Sequence, residues 1–201
     1  MKVCVLCGNS FRHLYFAIKI LKEYKDAKII IEENNQVYTD EFHKVERKYF
    51  SGYVNDNKKL LDENILAKFE KINNCYTVLE KFNPDIIAVH GVGLIRDKII
   101  NRFSGRVINL HAGLSPYYRG SATNVFPFYN DELEYVGMTV HFIDPGIDSG
   151  DIILQGRPDF EDDDNTHTVG CKNVILGTDL ILKALKKYDE DGVLVGVKQD
   201  K

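Results

Sequence analysis

Apolar residues in this chain fall into short runs separated by longer amphipathic stretches. The runs at 3–7, 27–31 and 85–90 are bounded by Gly, Pro, Asn or Asp, the pattern of buried strands. Between the first two, Leu14, Ala17, Ile18 and Leu21 recur at helical spacing over 11–24, behind a Gly8-Asn9-Ser10 turn in which Ser10 is placed to cap the helix. A polar turn at 32–35 leads into a charge-rich helix over 40–50, and 60–82 reads as one or two further helices. A short helix at 94–103 precedes a strand at 106–110. Alternating strands and helices of this kind imply a largely parallel sheet.

The pattern changes beyond that point. A helix is predicted at 123–129, then two strands at 136–143 and 151–160, with only a Pro145-Gly146 turn and a few residues between them. That gap is too short for a helical crossover, so this pair is expected to be antiparallel. A final helix spans 168–188 and a terminal strand 193–197. With no repeat and no low-complexity linker, the expectation is one α/β domain over 1–201. It would be Rossmann-like, with a mostly parallel twisted sheet, helices on both faces and an antiparallel addition after residue 136.

Two polar side chains stand at the end of the 106–110 strand. Asn109 and His111 are two residues apart, so in an extended chain they face the same side. Ligands of open α/β sheets sit beyond such strand ends. Further on, Gly146-Ile147-Asp148-Ser149-Gly150 offers a carboxylate in a glycine-bounded loop. An amide, an imidazole and a carboxylate suit acyl transfer. The amide and a protonated imidazole donate to a tetrahedral oxyanion, and the carboxylate supports the imidazolium and relays protons. Neither a covalent nucleophile nor a metal is required. Asp148 could instead be a plain turn former, with Asp144 and Asp151 as nearby competitors, and a lone histidine such as His111 is often only structural.

Composition adds exclusions. The 201 residues are 44% hydrophobic and 28% charged, with a net charge of −4, which advertises neither nucleic acid nor an anionic membrane as partner. No apolar run approaches the ~20 residues of a spanning helix, and 1–7 reads as a strand and not a leader, so a cytoplasmic protein is expected. Cys4-Val5-Leu6-Cys7 spells C-x-x-C, but residues three apart in a strand lie on opposite faces. Cys4, Cys7, Cys75 and Cys171 are expected to pack as small hydrophobes. No G-x-G-x-x-G or P-loop pattern supports a generic nucleotide-binding domain.

The run Ile108-Asn109-Leu110-His111-Ala112-Gly113-Leu114-Ser115-Pro116-Tyr117-Tyr118-Arg119-Gly120, followed by Ile147-Asp148-Ser149-Gly150, resembles the formyltransferases that use 10-formyltetrahydrofolate. That family carries an Asn-x-His at a strand end, a Ser-Leu-Leu-Pro-x-Tyr-Arg-Gly-like loop and an Asp in a Leu-Asp-x-Gly loop. The resemblance covers about half the chain, from 84 to 185. It implies catalytic roles for Asn109, His111 and Asp148. It also implies a folate pocket walled by Gly91, Gly93, Leu94, Ile95 and Arg96, by Gly113, Leu114, Ser115 and Pro116, and by Ile143 and Asp144. The family usually has Ser where Gly113 stands. Tyr118 and His141 are candidates to line the acceptor side, and Arg119 is expected to anchor its loop through backbone carbonyls.

The acceptor follows only by elimination. Glycinamide ribonucleotide formyltransferases have a glycine- and serine-rich phosphate loop after the first strand, where this chain has Cys7-Gly8-Asn9-Ser10-Phe11-Arg12-His13. No room is expected after Tyr188 for a basic tRNA-holding domain, and no counterpart of the regulatory domain of formyltetrahydrofolate hydrolases is expected. The expected reaction is therefore formyl transfer to a primary amine on a nucleotide-linked aminosugar, with a homodimer left open. Glycinamide ribonucleotide, other small amines including a hydroxyornithine, hydrolysis of the folate, and a folate-binding regulatory protein are the alternatives.

Overall fold

Val3, Cys4, Val5, Leu6 and Cys7 are wholly buried, which is why the first strand is apolar at every position and not at alternate ones. In the computed structural model, which describes residues 1–33 and 41–200, this run is β1 (Val3–Gly8), followed by α1 (Phe11–Glu23) and β2 (Lys28–Glu32). The expected turn at 34–35 and the first residue of the 40–50 helix lie outside the described residues. Then come α2 (Glu41–Asp56), α3 (Lys58–Asp62), β3 (Ile65–Phe69), a 3-10 turn at Ile72–Cys75, α4 (Tyr76–Phe82), β4 (Ile86–His90) and α5 (Asp97–Arg102). The remainder holds β5 (Val107–Ala112), α6 (Phe126–Tyr129), β6 (Met138–Phe142), β7 (Ile152–Gly156) and α7 (Thr166–Asp191).

The chain divides into two compact units, Met1–Val107 and Ile108–Lys201. In the first, the strand order is β3-β2-β1-β4 and every pairing is parallel. In the second, β6 lies between β5 and β7 and is antiparallel to both. The α/β class, the parallel pairing and the late antiparallel pair are as the sequence predicts.

Several boundaries differ: the 40–50 helix runs on to Asp56, the 151–160 strand ends at Gly156, and four further differences have identifiable reasons. β3 falls inside the stretch read as helical. Its residues alternate between half-buried and exposed, Ile65, Ala67 and Phe69 facing inward, and it is the edge strand of its unit. Five residues of weak alternation are easily lost beside two helices. α5 starts three residues late because Arg96 is extended and Asn73 holds the backbone at Leu94 and Arg96. α6 keeps only its last turn, as Ala122 adopts a left-handed backbone (φ 56°) just upstream. The expected 193–197 strand reduces to one antiparallel bridge between Val197 and Ile152.

α7 is longer than predicted because both ends are specified. Asn165 accepts from the backbone N–H of His167 and Thr168 while Thr168 Oγ1 accepts from Asn165 N–H, and Gly192 closes the helix at φ 70°. Its buried face, from Val169 through Leu185, packs on β6 and β7. All four cysteines are buried, and burial pushes the Cys7 and Cys75 thiols up to about 12, so neither is a thiolate at neutral pH. Among the described residues no helix is long and apolar enough to cross a membrane.

Candidate active site

The β5–β6 register builds the site. Asn109 lies directly opposite His141, and His111 opposite Thr139, so one face of this antiparallel pair presents an amide, two imidazoles and a hydroxyl. Asp148 reaches them from the β6–β7 loop with a left-handed backbone (φ 47°). The base of that loop admits only glycine at 150, where a Cβ would lie 1.9 Å from the carbonyl oxygen of Phe142.

One carboxylate serves the whole cluster. Asp148 Oδ1 accepts from Asn109 Nδ2 (3.3 Å) and lies 3.4 Å from His141 Nε2. Its Oδ2 accepts from Gly120 N–H (3.0 Å) and lies 3.3 Å from His111 Nδ1. Burial alone would push this carboxyl up, but His141, His111 and the Gly120 N–H outweigh it and hold its pKa below the usual carboxylate value.

The two histidines differ in tautomer. His141 Nδ1 donates to Phe142 O (2.7 Å), which leaves Nε2 to accept from Asn109 Nδ2 (3.2 Å). His111 Nε2 faces the carbonyl of Tyr118 (2.8 Å) and so carries the proton. Its Nδ1 points at Asp148, which a protonated ring would satisfy. Burial nevertheless outweighs Asp148 and the Tyr118 carbonyl, and with His141 it lowers the His111 pKa below 6.5. The resting ring is therefore neutral at pH 7, whereas the chemistry predicted an imidazolium held up by Asp148.

The neighbouring loops are held by side chains that the sequence did not single out. Thr139 Oγ1 donates to Gly113 O (2.7 Å) and accepts from Ser115 N–H (3.0 Å), and Gln155 Nε2 donates to Ser115 O (2.7 Å). Together they fix Gly113, Leu114, Ser115 and Pro116. Asp144 accepts from Gly146 N–H and Ser149 Oγ, so it shapes the loop that carries Asp148, with Ile143 just before it. The Tyr118 hydroxyl is engaged by Glu132 and Asn130. Arg119 does bond a backbone carbonyl, that of Asp200, and also the side chain of Gln199.

The residues expected to form the remaining wall belong to the first unit. There the Gly93 N–H donates to Glu32 (2.6 Å), Leu94 O accepts from Asn73 (2.8 Å) and Arg96 N–H donates to Asn73 (2.8 Å). Ile95 lies between these anchors. Gly91 has φ 68°, and a Cβ there would lie 2.0 Å from His13 Nε2. His13 fills the space over Gly8 and Gly91, and the same turn borders a cleft of about 680 Å³ lined by Ser10, Arg12, Glu32, His43 and Gly93 among others. Ser10 stands at the N-cap of α1 as predicted, but its hydroxyl pairs with His13 Nδ1 and not with the helix backbone. Among the described residues no group of three or more His, Cys, Asp or Glu side chains is placed to hold a metal ion.

Comparison with known proteins places this chain in a family. The model described as "Formyl transferase" matches residues 1–185, and the chain belongs to that family. A methionyl-tRNA formyltransferase from Caldicellulosiruptor saccharolyticus is 37% identical over 126 residues, 62% of this chain and 39% of that protein. The matched stretch is thus about two fifths of such relatives. Among solved structures, the phosphoribosylglycinamide formyltransferase of Anaplasma phagocytophilum has a TM-score of 0.72 at 17% identity and covers 100% of this chain and 95% of its own. An N-formyltransferase from Helicobacter canadensis, solved with folinic acid and dTDP-3-aminofucose, has a TM-score of 0.67 at 20% identity, over 100% of this chain and 68% of that one. At these identities the structures show a shared fold.

Proposed function

We propose that this chain transfers the formyl group of 10-formyltetrahydrofolate to a primary amine, and that the amine belongs to a nucleotide-linked aminosugar. The observation that carries the reading is the placement of Asp148 within 3.4 Å of Asn109, His111 and His141. The cluster has no Ser or Cys positioned as a nucleophile, and direct transfer needs none. The amine nitrogen bonds to the formyl carbon, and the C–N bond to the folate nitrogen then breaks. The proton lost by the amine ends on that folate nitrogen. Between these steps the formyl oxygen carries negative charge. Asn109 turns an N–H to it from Asp148 or His141, and His111, once protonated, sets a positive charge beside it. Asp148 matches the charge on His111 and passes the proton through water. Gly113–Pro116 and Ile143–Asp144 flank this face and are the natural walls for the folate, with residues 91–96 as the third element implied by the family.

The β1–α1 turn of the first unit departs from a phosphate loop. A phosphate loop needs bare helix N–H groups. Here the Arg12 N–H donates to Glu46 (3.1 Å), a carboxylate only 2% exposed, which also binds the Arg12 guanidinium at 2.6 Å. His13 occupies the room beside it. With a resident anion at the helix N-terminus, this turn is not an open phosphate cradle. The 37% identity to a methionyl-tRNA formyltransferase favours a second reading, an aminoacyl-tRNA acceptor, against which the net charge of −4 weighs.

The test is a mass-spectrometric screen with 10-formyltetrahydrofolate and a panel of nucleotide-linked aminosugars, glycinamide ribonucleotide, hydroxyornithine and methionyl-tRNA. The expected result is a formyl mass gain on an aminosugar with release of tetrahydrofolate. Formylation of another member reassigns the acceptor. Release of tetrahydrofolate with no amine modified points to hydrolysis, and an untouched folate overturns the reading.

A further inference from the structure

The matched family stretch ends at residue 185, yet a residue beyond it holds the candidate site. Gln199 Nε2 donates to the carbonyl oxygens of Asp148 (2.9 Å) and Gly150 (2.6 Å), which bracket Ser149. Its Oε1 accepts from Arg119 Nε (2.8 Å), and the other arm of Arg119 donates to Asp200 O (2.8 Å). The segment is laid against β7 by the paired bonds between Val197 and Ile152, 2.8 Å in each direction.

These bonds close a ring. Arg119 is followed by Gly120, whose N–H donates to the Asp148 carboxylate, and Asp148 is bound through its own carbonyl to Gln199, which returns to Arg119. Both loops that set the carboxylate against His111 are thereby tied to one primary amide. A tie of this kind helps to hold the loop, because Asp148 sits in a left-handed backbone that costs a non-glycine residue free energy. The side chain must offer two donors and one acceptor in a single plane, which glutamine does and glutamate does not.

We propose that Gln199 is a positioning residue of this site, holding the Asp148 loop to the Arg119 loop so that the carboxylate stays within reach of His111 and His141. The inference rests on the formyl-transfer reading for its consequence on rate, but its geometric part is testable alone. Gln199→Met keeps the volume and removes all three hydrogen bonds, Gln199→Ala removes the side chain, and Lys198→Ala serves as an exposed control in the same segment.

The first readout is the titration of His111 followed by ring ¹⁵N chemical shifts in the full chain. The groups facing His111 are Asp148, His141 and the Tyr118 carbonyl. Asp148 is the one that favours the charged ring by its own charge. Loosening it lowers the His111 midpoint, toward the value in Asp148→Asn. The second readout is the rate with the acceptor from the screen, where kcat is expected to fall about 10- to 100-fold in Gln199→Met, with KM for the amine little changed. Lys198→Ala should match the parent in both. If Gln199→Met and Gln199→Ala titrate and turn over like the parent, the proposal is overturned. If the parent transfers formyl to nothing while the His111 midpoint still moves in Gln199→Met, the positioning role stands and the formyl-transfer reading falls.

Discussion

Acidification is expected to destabilise this protein through two buried histidines, His13 and His111. His13 is 8% exposed, accepts from Arg12 Nε at its Nε2 (3.1 Å) and places its Nδ1 3.0 Å from Ser10 Oγ. A proton on Nε2 would have to displace the guanidinium. Burial, with the adjacent His90, Arg12 and His43, holds its pKa well below 6.5, and burial likewise lowers that of His111. In both cases the folded pKa lies below the unfolded one, so the unfolded chain takes up protons first. The stabilisation is complete above pH 6.5 and is lost as pH falls from there through each folded pKa. Within that window each histidine removes up to about 1.4 kcal/mol per pH unit, and the two together up to about 2.8. Against a total stability of about 5–15 kcal/mol this is a large slope. The lowered carboxyl of Asp148 acts in a separate window. Its contribution is present above 3.8 and is lost only as pH falls through its own folded pKa. Urea unfolding at fixed ionic strength between about pH 7.5 and about pH 5 measures the slope, and His13→Gln should remove close to half of it where both histidines act. A flat profile below 6.5, or a slope unchanged in His13→Gln, refutes the reasoning.

Other outcomes follow from the cluster around Asp148. Asn109→Ala and His111→Ala should each lower turnover by about 100-fold or more in the formylation assay, the cost of losing one donor to an oxyanion; near-parent rates would remove them from the mechanism. Asp148→Asn keeps the shape but deletes the charge 3.3 Å from His111, so the His111 titration should move to lower pH in an NMR titration. An unmoved midpoint would dissolve the pairing. Gly150→Ala puts a methyl 1.9 Å from Phe142 O and should cost about 1–3 kcal/mol in urea unfolding and most of the activity, because the loop that shifts carries Asp148.

How much of this was legible depended on whether the signal was local. Asn109 and His111 could be read because strand periodicity alone puts them on one face. Asp148 could be read because its motif is bounded by glycines. His141 could be seen only as a strand histidine, since its place opposite Asn109 depends on the β5–β6 register, which no local pattern specifies. Glu46 and Glu32 were invisible for the same reason. Each is a charged residue in a polar stretch whose partners, Arg12, Ile72 and Gly93, lie 34 to 61 residues away. Gln199 was the least legible, sitting in a polar tail with no motif. The helix caps were half legible: the chemistry of Ser10 predicted its position, but its hydroxyl went to His13 once that ring was buried above Gly8.

The neutral state of His111 bears on the order of events in the proposed reaction. An amine reaches the site as an ammonium and becomes a nucleophile only after losing a proton. The Nδ1 of His111 faces Asp148 and, in the resting ring, holds a lone pair. Taking up that proton gives His111 the positive charge that stabilises the oxyanion, and Asp148 offsets the cost of that charge. One proton thus creates both the nucleophile and its electrostatic partner, and no pre-protonated ring is required. The two orders predict opposite pH dependences. If His111 must be neutral in the free enzyme, kcat/KM rises with pH through the His111 titration below 6.5. If it must enter as the imidazolium, kcat/KM falls through the same range. A pH–rate profile with an acceptor whose own amine does not titrate there decides between them, and a falling limb that disappears in His111→Asn would reverse the order argued from the structure.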